Sequence, residues 1–144
     1  MSNESTVLEF TGTLTRHDVK TYLPHTFEVP EGITNIHINF QFSPRYATGR
    51  IHRNQINISV NDPDGIRGVF NVVREEGLDI NGIASSPGFG SWPVQPGKWT
   101  VFVDVHRILP PDTVNYEINV TLSREVLTVT LPEYPIFYLS AMVS

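Results

Sequence analysis

The chain contains no cysteine. This absence excludes a disulfide framework, a thiolate nucleophile and any zinc site that uses cysteine ligands. Charged residues are also scarce, at 17% of 144 residues, and the net charge is −5. An acidic chain of this kind is a poor match for nucleic acid or for an anionic membrane surface, because both attract basic proteins. We therefore expect no nucleic-acid partner and no membrane association.

Long apolar runs and helical periodicity are missing as well. The longest apolar stretch, PIFYLSAMV at residues 135–143, is too short to span a bilayer. No segment keeps a 3.6-residue period over three turns. The polar start, MSNESTVLEF, has neither the basic region nor the apolar region of a secretory signal. These features predict a cytoplasmic, standalone protein whose residues 1–5 are disordered.

What the chain does contain is period-two alternation, punctuated by 11 prolines and 10 glycines. After the turn Pro96-Gly97, Trp99, Val101, Val103 and Val105 alternate with polar or outward-facing neighbours, which predicts a strand with one buried face and Trp99 in the core. Similar alternation occurs in Leu8–Leu14, Tyr22–Val29, Ile36–Phe42, Ile56–Val60, Tyr116–Leu122 and Leu127–Leu131, and Gly68–Val73 is interpreted as a further strand.

Counted together, these segments predict about eight or nine strands joined by turns. Strands with one apolar and one polar face are typical of two packed antiparallel sheets. The predicted fold is all-β: one domain over residues 1–144, an antiparallel β-sandwich of jelly-roll or Greek-key type. Between the strands, residues 74–79 are interpreted as a charged connector. Residues 81–96 are interpreted as an ordered surface loop with room for one short strand.

No catalytic or metal-binding motif is recognisable. The five histidines form neither H-x-H nor H-E-x-x-H spacing, and His37 and His106 fall on the polar phase of their strands. Asp62 and Asp64 in the DPDG sequence are weak candidates for a cation site, but the same sequence is a strong turn former. The loop serines lack the G-x-S-x-G setting of a nucleophile. We expect no metal, no cofactor and no enzymatic activity.

Two loops carry the weak candidates for ligand binding. The polar loop Ser43–Gln55 holds three arginines, which can grip a carboxylate, a phosphate or an acidic protein surface. Aromatic residues in the two loops can form a platform that stacks on sugar rings. The candidate residues are Arg45, Tyr46, Arg50, His52, Arg53, Phe89 and Trp92.

The apolar C-terminal segment is a candidate for self-association. If it is not a final core strand, an exposed segment of this composition needs a partner subunit to cover it. The residues that would form such a homo-oligomer interface are Ile136, Phe137, Tyr138, Leu139 and Met142.

Four segments give the chain a family resemblance: Phe27–Thr34, Ile56–Gly68, Ala84–Ile108 and Val114–Leu122. Their most specific pieces are a D-P-x-G-x-R-G turn (Asp62, Pro63, Gly65, Arg67, Gly68), the S-P-G-F-G loop at residues 86–90 and the P-G-K-W strand entry at residues 96–99. Over about residues 8 to 124 the chain resembles the β-sandwich domain that precedes the catalytic part of PHP-type metal-dependent hydrolases, nearest to their carbaryl-hydrolase-like group. The sequence has no D-x-H-x-H run, so the resemblance implies an accessory sandwich without the metal site or the hydrolase activity.

Three functions follow as hypotheses. The first is a non-catalytic binding module that recognises a protein or carbohydrate partner through the two loops. The second is an assembly protein that self-associates through the apolar C-terminal segment by edge-strand addition. The third is a small hydrolase with a site built around Asp104 and His106. The sequence does not identify the ligand, the oligomeric state or the biological process.

Overall fold

The computed structural model describes residues 5–45, 54–70, 77–110 and 113–127. Within these residues the chain forms eight strands and one short 3-10 turn. In chain order they are β1 (Ser5–Thr15), the turn Arg16–Asp18, β2 (Tyr22–Val29), β3 (Asn35–Ser43), β4 (Gln55–Asp62), β5 (Gly65–Phe70), β6 (Leu78–Asn81), β7 (Gly97–Arg107) and β8 (Thr113–Ser123).

The strands form two four-stranded antiparallel sheets. The first sheet has the order β1-β8-β3-β6 and the second has the order β2-β7-β4-β5. The pairing is nested: β1 lies against β8, β2 against β7, β3 against β6 and β4 against β5. The assignment to the jelly-roll or Greek-key type stays a prediction. The predicted all-β antiparallel sandwich is confirmed.

The core lies between the sheets and is filled by the apolar phase of each strand. Trp99 is fully buried, as the alternation around it predicts, and its Nε1 donates a hydrogen bond to the Gln95 carbonyl at 2.8 Å. That bond satisfies the indole N–H, which would otherwise be costly to bury. The other fully buried large side chains include Leu14, Ile36, Ile38, Ile58, Leu78, Ile80 and Ile118.

The turn between β1 and β2 is set by its own side chains. Thr15 accepts from the His17 N–H, and the Asp18 carboxylate accepts from the Thr15 N–H at 2.7 Å, so the two side chains form a capping box. The turn predicted at His17-Asp18 is therefore present. It delivers Tyr22 to the start of β2, where it lies opposite Asp104 of β7.

Two sequence-based interpretations need correction. Ser5 was expected in a disordered lead, but it belongs to β1 and lies opposite Ser123 of β8. The connector over residues 74–79 was also wrong at its end, because Leu78–Asn81 form β6 and pair with β3. The strand expected at Leu127–Leu131 and the strand end at residues 71–73 fall almost wholly outside the described residues. In the described part of the chain, no helix has the length and hydrophobicity needed to cross a membrane.

Candidate functional site

The DPDG turn is held by contacts within the protein, and its carboxylates do not form an open cation site. Asp62 is buried; its Oδ1 accepts from the Asp64 N–H at 2.8 Å, and its Oδ2 lies 3.3 Å from Nη1 of Arg67. Asp64 accepts a hydrogen bond from the Gln95 side chain. Both carboxylates thus have partners within the protein. In the described ranges, no group of three His, Asp or Glu side chains is placed to hold a metal ion.

Arg67 ties the loop at residues 82–96 to the second sheet. Its guanidinium donates to the carbonyls of Gly90, Trp92 and Pro93 and pairs with Asp62. Burial lowers the pKa of Arg67, while the hydrogen bond and the charge of Asp62 oppose that shift. The guanidinium remains charged, because an arginine does not lose its proton in a protein. The conspicuous arginine of the turn motif is therefore a structural residue.

The aromatic platform proposed from the sequence is not formed as expected. Phe89 is 8% exposed and belongs to the hydrophobic core. Trp92 is 42% exposed, but one face of its ring covers Arg67, with the guanidinium carbon 4.3 Å from the ring centroid. The prediction that Phe89 contacts a ligand at the surface is wrong, because the loop folds back and Phe89 forms a β-bridge with Gly68 of β5. The main contact of Trp92 is therefore the packing of its ring against the Arg67 guanidinium.

Of the basic loop Ser43–Gln55, the structure describes only residues 43–45 and 54–55. Arg45 lies with its guanidinium carbon 5.8 Å from the Phe42 ring centroid, and its carbonyl accepts from the Asn54 N–H at 2.8 Å. Tyr46, Arg50, His52 and Arg53 lie outside the described residues. The basic patch therefore stays a prediction.

The hydroxyls of the loop at residues 82–96 hold the loop itself. Ser86 Oγ accepts from the Asp79 N–H, and Ser85 Oγ accepts from the Asn81 N–H. Ser91 Oγ accepts from the Ser85 N–H. The first two bonds satisfy N–H groups of the edge strand β6, and the third holds the loop together. They explain the serine content of the loop without a nucleophile.

The two outer faces of the sandwich differ sharply in chemistry. The outer face of the first sheet carries threonine, asparagine, glutamine, histidine and carboxylate side chains, with Val7 as its exposed large apolar residue. The outer face of the second sheet instead carries five apolar or aromatic side chains among its polar ones. They are Tyr22, Pro24, Ile66, Val69 and Phe102.

Four of them, Tyr22, Ile66, Val69 and Phe102, line a groove of about 640 Å³ on the second sheet. Strand register places Tyr22, Asp104 and Asn57 in one row across β2, β7 and β4. The next row holds Phe102, Ser59 and Val69, and Ile66 closes one end of the groove. Neighbouring strands in a sheet lie about 4.8 Å apart, so side chains in one row can contact a single ligand group.

Asp104 forms the floor of this groove. It is 5% exposed, and its Oδ1 accepts from the Ser59 hydroxyl at 3.3 Å. Burial raises the pKa of the Asp104 carboxyl, while the hydrogen bond from Ser59 and the charge of His106 lower it. His106 is exposed at the groove wall, as its polar phase in the strand predicts. The groove thus combines one desolvated carboxylate with amides, a hydroxyl and apolar walls.

The hydrolase hypothesis named Asp104 and His106, which both line this groove. Sequence reasoning nevertheless missed the groove as a binding surface, although one signal was visible. Phe102 occupies the polar phase of the best-defined strand, between Thr100 and Asp104. A large aromatic side chain on an outward-facing phase is a better sign of binding than an aromatic beside glycine and proline in a loop. Tyr22 is likewise a large aromatic residue that faces outward, and it is 64% exposed at the start of β2.

The histidine on the other sheet has a structural partner. His37 Nδ1 and Asp79 Oδ1 are 2.9 Å apart across β3 and β6, and Asn35 donates to the same carboxylate oxygen at 3.1 Å. This cluster lies on the outer face of the first sheet, beside Thr121 and Glu125. It joins the short strand β6 to its neighbour.

Comparison with known proteins gives little to set beside this geometry. No protein-family model and no curated protein sequence matches the chain. Among solved structures, the chain is similar to the crystal structure of Aeromonas hydrophila PliG, a periplasmic lysozyme inhibitor of g-type lysozyme. The TM-score is 0.43 at 13% identity, over 83% of this chain and 87% of that chain.

The similar structure is that of a periplasmic protein. The cytoplasmic location expected from the sequence is not retained. The resemblance to the sandwich domain of PHP-type hydrolases is not tested by these comparisons and stays a prediction.

Proposed function

We propose that this chain is a non-catalytic binding domain that docks a protein partner in the groove on the outer face of the second sheet. The observation that supports it is the contrast between the two outer faces. One face is almost wholly polar, as a solvated sheet face should be. The other exposes Tyr22, Ile66 and Val69 around a groove. Exposed apolar residues gathered at one concave site are typical of interaction surfaces.

The composition of the groove favours binding over catalysis. Its single carboxylate, Asp104, is hydrogen-bonded to Ser59, and the neighbouring imidazole of His106 is exposed. A hydrolase needs a nucleophile or an activated water held beside a base, with that base oriented by a third group. The groove offers apolar walls and a few fixed polar groups, which suit recognition.

Carbohydrate recognition is the second candidate, and one observation favours it. Tyr22 and Phe102 flank Asp104 and Asn57, and sugars are bound by aromatic rings together with carboxylate and amide hydrogen bonds. Two aliphatic side chains, Ile66 and Val69, form the rest of the wall. Side chains of that kind fit the apolar residues of a protein better than the hydroxylated edge of a sugar, so we place the protein partner first.

Two defined probes separate these candidates: a displayed random-peptide library and an array of defined glycans. Tyr22→Ser and Ile66→Ser change exposed positions of the groove and should leave folding intact. Val126→Ser is the matched control, because Val126 is 84% exposed and is not part of the groove lining. We expect selected peptides to bind the native protein and Val126→Ser equally, and at least tenfold more weakly to the groove variants.

The outcomes are distinct. Glycan binding that is lost in Tyr22→Ser, with no peptide selected, would replace the first candidate by the second. Peptides that bind all variants equally would show that the groove is not the docking surface, and the proposal would fail.

A further inference from the structure

Among the described residues that line the groove, Asp104 is the only carboxylate, and none is a lysine or an arginine. Its neighbours are amides, one hydroxyl, one imidazole and the apolar walls. The carboxylate is nearly buried, yet the hydrogen bond that it accepts from Ser59 is 3.3 Å long. A desolvated carboxylate is stabilised most by a charge-assisted bond from a cation, which shortens and strengthens the contact.

The titratable groups that face Asp104 do not provide that cation in a fixed position. His106 follows on the same face of β7 but is exposed, and Tyr22 of β2 is a phenol. Lys20 borders an adjoining hollow of about 240 Å³ with Asp104, and its side chain is exposed. Among the described residues, the floor of the groove thus lacks a fixed cation beside the Asp104 carboxyl group.

The walls suit the stem of such a group. Phe102 lies two residues from Asp104 on the same face of β7, and Ser59 and Val69 lie beside it in the next row. Residues two apart on a strand are separated by about 6.6 Å, close to the length of an extended lysine or arginine stem. These side chains bury their methylene groups against apolar surface while the charged end reaches a polar partner.

We infer that the protein partner anchors itself by inserting a lysine or arginine side chain into the groove, with its charged end on Asp104 and its stem against Phe102. The inference rests on the proposed function, because it names the chemistry of the partner for the same site. The apolar rim at Ile66 and Val69 then contacts apolar residues next to the anchor. Interface hot spots are enriched in tryptophan, tyrosine and arginine, and the contacts around them exclude water.

Small amides test the anchor directly. The probes are the Nα-acetyl methylamides of arginine, lysine and norleucine; norleucine has an unbranched apolar stem without the charge. Each is titrated into ¹⁵N-labelled protein at neutral pH, and amide shifts are followed at Tyr22, Asn57, Ile66 and Phe102. We expect arginine and lysine amides to shift these residues and to bind at least threefold more tightly than norleucine amide.

Asp104→Asn should abolish the preference for the charged amides. The neutral amide is nearly isosteric with the carboxylate and avoids burying a charge, so the variant should fold. Asp79→Asn is the matched control: it removes a carboxylate from the outer face of the other sheet, and the preference should survive.

Each failure points to a different error. If norleucine amide binds the groove as well as the charged amides, the docking surface stands and the basic anchor is refuted. If charged amides keep their preference in Asp104→Asn, the anchor lies elsewhere and the inference fails. If no amide shifts the groove while a glycan does, the proposed protein partner is refuted as well.

Discussion

Replacing Arg67 by methionine should show that the turn motif stabilises the fold. Arg67→Met keeps an unbranched side chain of similar length but removes the charge and every donor. It leaves Asp62 buried without its ion-pair partner and leaves the carbonyls of Gly90, Trp92 and Pro93 without a hydrogen bond from this side chain. Removing one partner of a buried ion pair costs about 3–5 kcal/mol, because the remaining charge stays desolvated.

Two further effects belong to the same substitution. The guanidinium lies against Trp92 and within 5.4 Å of the Trp99 ring centroid, contacts that contribute about 2 kcal/mol when desolvated. Methionine recovers part of this through sulfur–aromatic contact, at about 1 kcal/mol. The net loss in the free energy of unfolding should therefore be about 4–6 kcal/mol. For a domain of this size, that lowers Tm by roughly 10–20 °C.

Urea denaturation followed by tryptophan fluorescence measures this loss. Asp62→Asn in the Arg67→Met background removes the uncompensated charge and keeps the acceptor for the Asp64 N–H. The double variant should therefore be destabilised by less than the sum of the two single variants, with a coupling of about 1–3 kcal/mol. A loss below about 1 kcal/mol for Arg67→Met would refute the view that Arg67 fastens the loop at residues 82–96.

Three other perturbations have defined outcomes. Gly68→Ala should destabilise by about 1–3 kcal/mol in urea melts, since its Cβ would lie 2.4 Å from the Gly88 carbonyl, and Gly82→Ala, with its nearest contact at 3.3 Å, should cost less. Because burial raises the pKa of Asp104, the folded state holds that proton longer than the unfolded chain, so stability should fall as pH rises from the ordinary carboxyl range towards neutrality. Asp104→Asn should lack this decline and be the more stable form at neutral pH; urea melts of both proteins at several pH values that show parallel curves would contradict the argument. A chain ending at Pro135 should be monomeric by size exclusion with light scattering if residues 136–144 join subunits, and an unchanged mass would exclude that role.

The sandwich could be predicted from the sequence because its longest strands have strict alternation. Trp99 to Val105 and Tyr116 to Leu122 each show one apolar phase, and both segments proved to be central strands. The short strand β6 was not predicted from the sequence, because it has only two apolar residues, Leu78 and Ile80, beside a charged stretch. Its strand character depends on pairing with β3 and on loop serines that cover its edge, and neither is local information.

The candidate site could not be located from the sequence for a related reason. Tyr22, Asn57 and Asp104 are far apart in the chain and meet only because β2, β4 and β7 are neighbours in one sheet. Loops with arginine or aromatic residues drew attention because their composition is locally unusual. Once folded, Phe89 belongs to the core and Arg67 pairs with the buried Asp62, whereas the groove gathers residues from four strands that only their register brings together.

The nested pairing has a mechanical consequence. Ser5 of β1 lies opposite Ser123 of β8, so the two ends of this antiparallel pair are neighbours at one edge of the molecule. The hydrogen bonds of an antiparallel pair run perpendicular to the strands. A pulling force applied at Ser5 and Ser123 would therefore load these bonds one after another, and β1 would unzip from β8 at low force.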